Sequence, residues 1–282
     1  MTSLRLVLLT TLTMVAFAGN SLLCRLALDT TGIDAASFTT IRLFSGALVL
    51  WLGTTLLPKK RSGRGNWFSA FALFVYAAGF SFAYINLTAA TGALLLFAAV
   101  QATMIGYGFY VGERLAAAQL FGLLVALGGL VGLLFPGLNA PPIASAILML
   151  SAGLAWGIYS IQGRGATDPI RETAGNFAGA LPFSFLLLLL PDFSLQYDPA
   201  GVCYAVVSGA LASGLGYILW YLVLPKLKAT NAASVQLSVP VIAALGGILF
   251  LDESLTLRFV LASIAILGGI MLILRSKSYQ RQ

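Results

Sequence analysis

Thirteen residues with useful side chains stand inside otherwise apolar runs of this chain: Asn20, Arg42, Ser81, Tyr84, Gln101, Trp156, Tyr159, Asn176, Ser213, Tyr217, Trp220, Gln236 and Ser238. Arg42 carries the most information. A guanidinium deep in an apolar run offers a fixed positive charge, and a charge-assisted hydrogen bond from it to a carboxylate contributes about 1.5–3 kcal/mol. The same side chain can instead snorkel outward or pair with Asp29 or Asp34. Asn20 and Gln101 each present donors and an acceptor, which suits a zwitterion or an interhelical hydrogen bond. Trp156, Tyr159, Tyr217 and Trp220 can line a cavity for apolar groups and attract an ammonium through their ring faces, or simply pack. Substrate binding is therefore expected at Asn20, Arg42, Ser81, Tyr84, Gln101, Trp156, Tyr159, Tyr217, Trp220 and Ser238.

Several chemistries are excluded. Histidine is absent, and the two cysteines, Cys24 and Cys203, lie in apolar runs and read as packing residues. That removes most metal sites, Ser-His-Asp and Cys-His catalysis and histidine proton relays. A phosphate-binding Gly-x4-Gly-Lys-Ser/Thr segment is absent too. No Asp or Glu falls in the middle third of an apolar run, so no proton relay is evident, although Glu113 or Glu253 could titrate. No catalytic residue, metal or cofactor is expected.

The elements that must hold these residues follow from composition. Of 282 residues, 59% are hydrophobic and 9% charged, against about 45–50% and 25% in soluble domains. A helix needs about 20 apolar residues to cross a bilayer. Apolar runs broken by Gly, Pro and charge give ten candidate spans: 4–28, 35–57, 67–89, 92–111, 116–135, 142–163, 171–190, 200–224, 230–250 and 256–274. The runs are too long and too little alternating for barrel strands. Only Thr88 to Gly92 marks a turn between the third and fourth. Arg5 and the following apolar stretch to Ala16-Phe17-Ala18 imitate a signal peptide, but the repeat described next needs this segment as a helix. Trp51 and Trp67 read as interfacial rings.

With the N-terminus in the cytoplasm, Arg5, Lys59, Lys60, Arg61, Arg64, Arg114, Arg164, Arg171, Lys226, Lys228, Arg275, Lys277 and Arg281 all fall inside. Those are 13 of the 16 basic residues, a strong positive-inside pattern that places both termini in the cytoplasm. The net charge of +7 is then a topology signal rather than a nucleic-acid footprint.

The halves also repeat. Glu113-Arg114-Leu115 precedes Gly128-Gly129 as Glu253-Ser254-Leu255 precedes Gly268-Gly269. Ala90-Thr91-Gly92-Ala93 lies opposite Thr230-Asn231-Ala232-Ala233, and Gly19 opposite Gly157. Residues 1–136 and 141–276 form two five-span units, with 277–282 as a tail. Five spans per unit inverts the second unit, the arrangement of secondary transporters with a midplane site between repeats. Pro182, Pro240, Gly79 and Gly216 are candidate hinges, with close packing as the alternative. Gly122, Gly128, Gly129, Gly132, Gly268 and Gly269 make small-residue faces, for packing inside the protomer or for a dimer. Glu113 and Glu253 are expected to cap the helix that follows each.

These residues resemble the EamA domain pair of the drug/metabolite transporter superfamily. The matching stretches are Gly112-Glu113-Arg114-Leu115, Leu251-Asp252-Glu253-Ser254-Leu255, Ala155-Trp156-Gly157 and Pro240. Length and the missing histidine are similar to the YddG-type amino-acid exporters. The half-sites are unequal: Gln101 stands near the position of Pro240, and Ala18 at that of Trp156. The resemblance implies an all-α integral membrane protein of ten helices in two inverted repeats, located in the bacterial inner membrane. It implies export of neutral or aromatic amino acids, or related small metabolites, by gradient-driven alternating access. A multidrug or other metabolite exporter with proton antiport is the alternative. A nucleotide-sugar carrier would need more basic residues than Arg42, an intramembrane transferase a cluster of acids, and a sensor or assembly subunit an unbroken apolar interior. Expected partners are a small-molecule substrate and the lipid bilayer, not nucleic acid; the chain is a monomer or weak homodimer.

Overall fold

In hydrocarbon every backbone N–H and C=O must find its partner inside its own segment, which leaves helices for runs of this length. The computed structural model describes residues 3–56, 63–112, 116–137, 140–163, 166–189, 198–227 and 235–275, and no strand occurs among them. The helices are α1 (Ser3–Thr30), α2 (Ala35–Leu56), α3 (Trp67–Tyr84), α4 (Ala89–Tyr110), α5 (Ala117–Leu134), α6 (Ile143–Gln162) and α7 (Pro169–Leu187). They continue with α8 (Pro199–Val223), α9 (Ser238–Leu251) and α10 (Leu257–Arg275). Eight of the described helices are long and apolar enough to cross a membrane. The others are α7, which carries Arg171, Glu172 and Pro182, and the shorter α9.

Capping chemistry sets the starts. Asn66 Oδ1 accepts from Ser69 N–H at 2.8 Å, and Thr88 Oγ1 from Thr91 N–H at 3.2 Å. Asp168 and Asp198 each cap a helix whose first residue is proline, the residue with no N–H to leave orphaned. The turn between α3 and α4 thus lies at 85–88, earlier than the expected break at Thr88 to Gly92, because Thr88 is the cap and Gly92 is already helical. In the expected ninth span, 230–250, α9 runs from Ser238 to Leu251, and residues 228–234 lie outside the described residues. So do Glu113, Arg114 and Leu115 and the tail from 276 onward.

The packing is inside-out relative to a soluble protein. Leu4, Leu12, Trp51, Phe71, Leu124, Leu249 and Leu261 are exposed, whereas Asn20, Arg42, Gln101, Asn176 and Ser213 are buried. Across the sequence midpoint, α5 packs on α10, α3 on α6 and α7, α4 on α6 and α9, α2 on α7 and α8, and α1 on α8 and α9. Exchanging each helix with the one five places on returns these pairs; a smaller α4–α10 contact has no such counterpart among the described residues. The α5–α10 contact is made by glycine: a Cβ on Gly122 would sit 2.6 Å from the Gly269 carbonyl oxygen. Gly128, Gly132 and Gly268 have nothing nearby. Cys24 and Cys203 are both free thiols.

One end of the bundle is tied by charge. Both carboxylate oxygens of Glu253 accept from Ala89 N–H, at 2.8 and 3.0 Å, so Glu253 caps α4. This corrects the expectation that it caps the following helix; Thr256 Oγ1 accepts from Phe259 N–H there, at 3.1 Å. The chain reaches back because Asp252 adopts a left-handed conformation, φ +51°. Arg25 lies 3.7 Å from Glu253, pairs with Asp29 at 2.8 Å, and donates to the Tyr84 and Ile85 carbonyls at 3.1 and 3.0 Å. Nearby, Asp198 accepts from Gly32 N–H at 2.8 Å, and this bond holds its carboxyl below the usual range. Burial pushes the Glu253 carboxyl above its usual range, despite the Ala89 N–H and Arg25.

Two outcomes follow from this packing. Gly122→Val destabilises by about 1–3 kcal/mol through overpacking against α10, while Gly128→Ala leaves the melting temperature in detergent nearly unchanged; equal effects would contradict the α5–α10 contact. Because the folded Glu253 holds its proton more tightly than the unfolded chain does, its contribution to stability is full at acid pH. It is lost as pH rises through the raised folded value. The melting temperature of the natural protein relative to Glu253→Gln therefore falls as pH climbs through and above the carboxylate range, then levels off.

Candidate functional site

Helices α1, α3, α4, α6 and α8 enclose a small chamber of about 30 Å³, room for little more than a water molecule. Its walls are Phe17, Asn20 and Ser21 from α1, Tyr76 and Phe80 from α3, and Leu96 and Phe97 from α4. Trp156 of α6 and Ala212, Ser213 and Tyr217 of α8 complete it. A larger hollow of about 400 Å³ lies between α2 and α7, but Phe44, Leu48 and Trp51 along it are exposed on the outer surface. Lipid chains suit that surface better than a polar solute.

The local sequence explains why the chamber forms. From Ser208 to Leu215 α8 widens into a π-helix built of small residues, a local irregularity that recurs at functional sites. Gly209 lets this segment lie directly on the Arg42 carbonyl and Ser45 Oγ of α2. The widened turn supplies two polar contacts. Ser208 Oγ donates to Asn20 Oδ1 at 2.6 Å, and Ser213 Oγ lies 3.4 Å from Arg42 Nε.

Behind the wall, Arg42 is only 1% exposed. Its Nη2 donates to Tyr76 Oη at 3.0 Å, and the Tyr76 and Phe80 ring centroids lie 5.2 and 4.8 Å from its Cζ. Nη1 is buried with no hydrogen-bond partner. Asn20 Nδ2 donates to the same Tyr76 Oη at 3.3 Å. Tyr76 thus joins an arginine of α2 to an amide of α1. Opposite, Trp156 stacks between Tyr159 (5.3 Å, 24°) and Tyr217 (5.2 Å, 19°), with Tyr76 at 4.9 Å. Phe17 meets Tyr217 and Trp220 edge-on. The result is an aromatic box with one cation set against its wall.

The structure gathers four of the ten expected residues at the chamber: Asn20, Trp156 and Tyr217 in its wall and Arg42 behind it. Arg42 neither snorkels nor pairs with Asp29 or Asp34, because Arg25 takes Asp29 and Asp34 accepts from the N–H groups of Ala36 and Ser37. Tyr159 backs Trp156 and contacts Thr173 and Asn176 through its hydroxyl, both at 3.4 Å. Trp220 sits one ring further out. The remaining four do not line it, although Tyr84 packs edge-on against Phe80 at 4.7 Å. Ser81 donates to the Ala77 carbonyl of its own helix. Tyr84 closes the α3–α4 turn through the Ala89 carbonyl, Gln101 is buried with Nε2 unpartnered, and Ser238 donates to the Val235 carbonyl. Of the proposed hinges, Gly79 is a close contact with α6, where a Cβ would lie 3.1 Å from the Leu148 carbonyl oxygen. Gly216 closes the π segment, Pro182 lies inside α7, and Pro240 in the first turns of α9.

The main omission is Tyr76. The spacing Tyr76, Phe80, Tyr84 is an i, i+4, i+8 aromatic stripe on one helix face, a signal present in the sequence. Phe80 belongs to that stripe, whereas Phe17, Ser21, Leu96, Phe97 and Ala212 carry no such mark; in an apolar chain they read as packing.

Residues 143–275 match the EamA-like transporter family. An uncharacterized protein of Pseudomonas aeruginosa is 58% identical over 96% of this chain and 94% of its own length. A probable terminal-alkyne amino-acid exporter of Streptantibioticus cattleyicolor is 25% identical over 94% of this chain and 91% of its own. A protein of known crystal structure shares the fold, with a TM-score of 0.65 at 20% identity over 93% of this chain and 98% of that one. The chain belongs to the EamA-like transporter family of the drug/metabolite transporter superfamily, and is a multi-pass membrane protein.

The Tyr76 hydroxyl serves both Arg42 and Asn20, so Tyr76→Phe leaves two buried donors unsatisfied. The expected loss of stability is about 1–3 kcal/mol, read as a lower melting temperature in detergent. An unchanged melting temperature would remove Tyr76 from the network.

Proposed function

We propose that this chain exports amino acids with neutral or aromatic side chains, or closely related metabolites, by alternating access through the chamber at Trp156. The observation that carries the proposal is the pairing of a buried guanidinium with an aromatic box. Arg42 would attract the substrate carboxylate. The amide of Asn20 and the Tyr76 and Ser213 hydroxyls would orient its polar groups, and the Trp156 and Tyr217 faces would take its side chain. The resemblance to a probable amino-acid exporter supports the same substrate class.

A chamber of about 30 Å³ is smaller than such a solute, so binding requires the surrounding helices to separate. Two tied ends provide places for that separation. One holds Arg25, Asp29 and Glu253. The other holds Asn66 N–H on Asn176 Oδ1 at 2.9 Å and Arg171 Nη2 on the Thr54 carbonyl at 3.0 Å. Release of one end at a time would alternate the opening. The exchange symmetry of the packing supports two inverted five-helix repeats over 1–136 and 141–276, with α7 and α9 completing ten spans. The distribution of basic residues supports cytoplasmic termini in an inner membrane. With no acid in any helix middle, we assign transport to the substrate gradient, with Pro182, Pro240, Gly79 and Gly216 as bending points.

The test is counterflow of labelled amino acids into liposomes holding the purified protein, with no ion gradient. Flux of leucine, phenylalanine or their relatives is expected. Arg42→Gln and Trp156→Ala should each lower it about tenfold or more, the loss of one charged hydrogen bond or one aromatic face. No flux of any amino acid, with or without a pH gradient, would overturn the proposal in favour of other solutes.

A further inference from the structure

The charge of the chamber is one-sided. Arg42 is 1% exposed, and a buried cation is costly unless it is paired. Its partners are all neutral: the Tyr76 hydroxyl, Ser213 Oγ and two ring faces. Nη1 has no acceptor. Among the described residues the acids stand elsewhere. Asp29 pairs with Arg25, Asp34, Asp168 and Asp198 cap helices, Glu172 lies in the first turn of α7, and Asp252 and Glu253 follow α9. Glu113 and Asp192 fall in connecting segments outside the described residues.

A substrate ammonium entering this chamber would therefore meet amide and hydroxyl oxygens and ring faces, with a full positive charge close behind. A carboxylate would meet that charge and its unfilled donor. Ring faces contribute about 0.5–2 kcal/mol to a cation, and repulsion from Arg42 opposes even that. A charged hydrogen bond to the carboxylate contributes about 1.5–3 kcal/mol.

We infer that the chamber recognises its substrate by the carboxylate and does without the α-ammonium, so that it also takes monocarboxylates with an aromatic or branched apolar tail. The substrate class widens from amino acids to their deaminated counterparts, the 2-oxo, 2-hydroxy and unsubstituted acids. Substrate carboxylate completes Arg42 by accepting from Nη1. This rests on the chamber being the substrate site, as proposed above.

Ligand-induced thermal stabilisation of the purified full-length protein in detergent separates the two. A ligand at concentration c that binds the folded state stabilises it by RT ln(1 + c/Kd), so a tighter ligand raises the melting temperature at lower concentration. The probes are phenylalanine, 3-phenylpropionate, which lacks the amine, and 2-phenylethylamine, which lacks the carboxylate. Stabilisation by 3-phenylpropionate at a tenfold or lower concentration than 2-phenylethylamine is expected. Arg42→Gln should abolish the preference and Arg42→Lys should keep part of it. If either variant fails to fold, the comparison on the natural protein decides alone. Stabilisation by phenylalanine but not 3-phenylpropionate, or by 2-phenylethylamine at equal or lower concentration, would overturn the inference and leave the amino-acid site standing. No effect from any of the three would overturn both.

Discussion

The structure turns on one guanidinium held in a helical bundle with no acid beside it among the described residues. A cation taken out of water without a counter-charge must be met by dipoles and π-electrons or by a bound anion. Here the Tyr76 hydroxyl, Ser213 and two ring faces do the first. The need to reach Arg42 brings α1, α3 and α8 together: Tyr76 also takes Asn20, and Asn20 also takes Ser208. The chamber is the space left between those commitments and the Trp156 stack.

Small residues make the geometry available. The bundle has no hydrophobic drive to associate in lipid, so helices approach through glycine, alanine and serine and through polar contacts. Gly209 admits the π segment onto α2, and Gly122 admits α10 onto α5. The two contacts have different consequences. The α5–α10 pair is a glycine seam away from the chamber, whereas the α2–α8 contact sets where Arg42 and Ser213 stand. A π segment in the middle of α8 puts Ser208 and Ser213 toward α1 and α2 together, which a regular turn spacing of 3.6 residues would not do for residues five apart.

The polar ties at the two ends differ in chemistry. Around Glu253 the contacts are ionic and reach across the sequence midpoint, from the α9–α10 connection to the start of α4 and to α1. At the opposite end they join side chains to backbone: Asn66 N–H donates to Asn176 Oδ1, and Arg171 Nη2 donates to the Thr54 carbonyl. This end carries an ion pair too, Arg171 with Asp168 at 3.1 Å, but its partners lie within one turn of chain, whereas Arg25 and Glu253 are far apart in sequence.

Composition and charge spacing alone determined the class: too few charges for a soluble surface, apolar runs of membrane length, basic residues gathered at alternate connections, and motifs matching the EamA pattern. Those properties are local in sequence, because a bilayer acts on each segment separately. Arg42, Asn20, Trp156 and Tyr217 were conspicuous for the same reason, since a polar or amphipathic side chain stands out in an apolar run. What only the tertiary structure decided was which of the marked residues meet. Tyr84, Ser81, Gln101 and Ser238 are equally conspicuous in sequence, yet none lines the chamber. Glu253 caps a helix more than 160 positions away in the chain rather than the next one. The π segment is silent in a run of Ser, Gly and Ala. Such choices depend on how close two backbones come and which face each helix turns inward, and the apolar pattern of a helix that is hydrophobic all round does not encode that face.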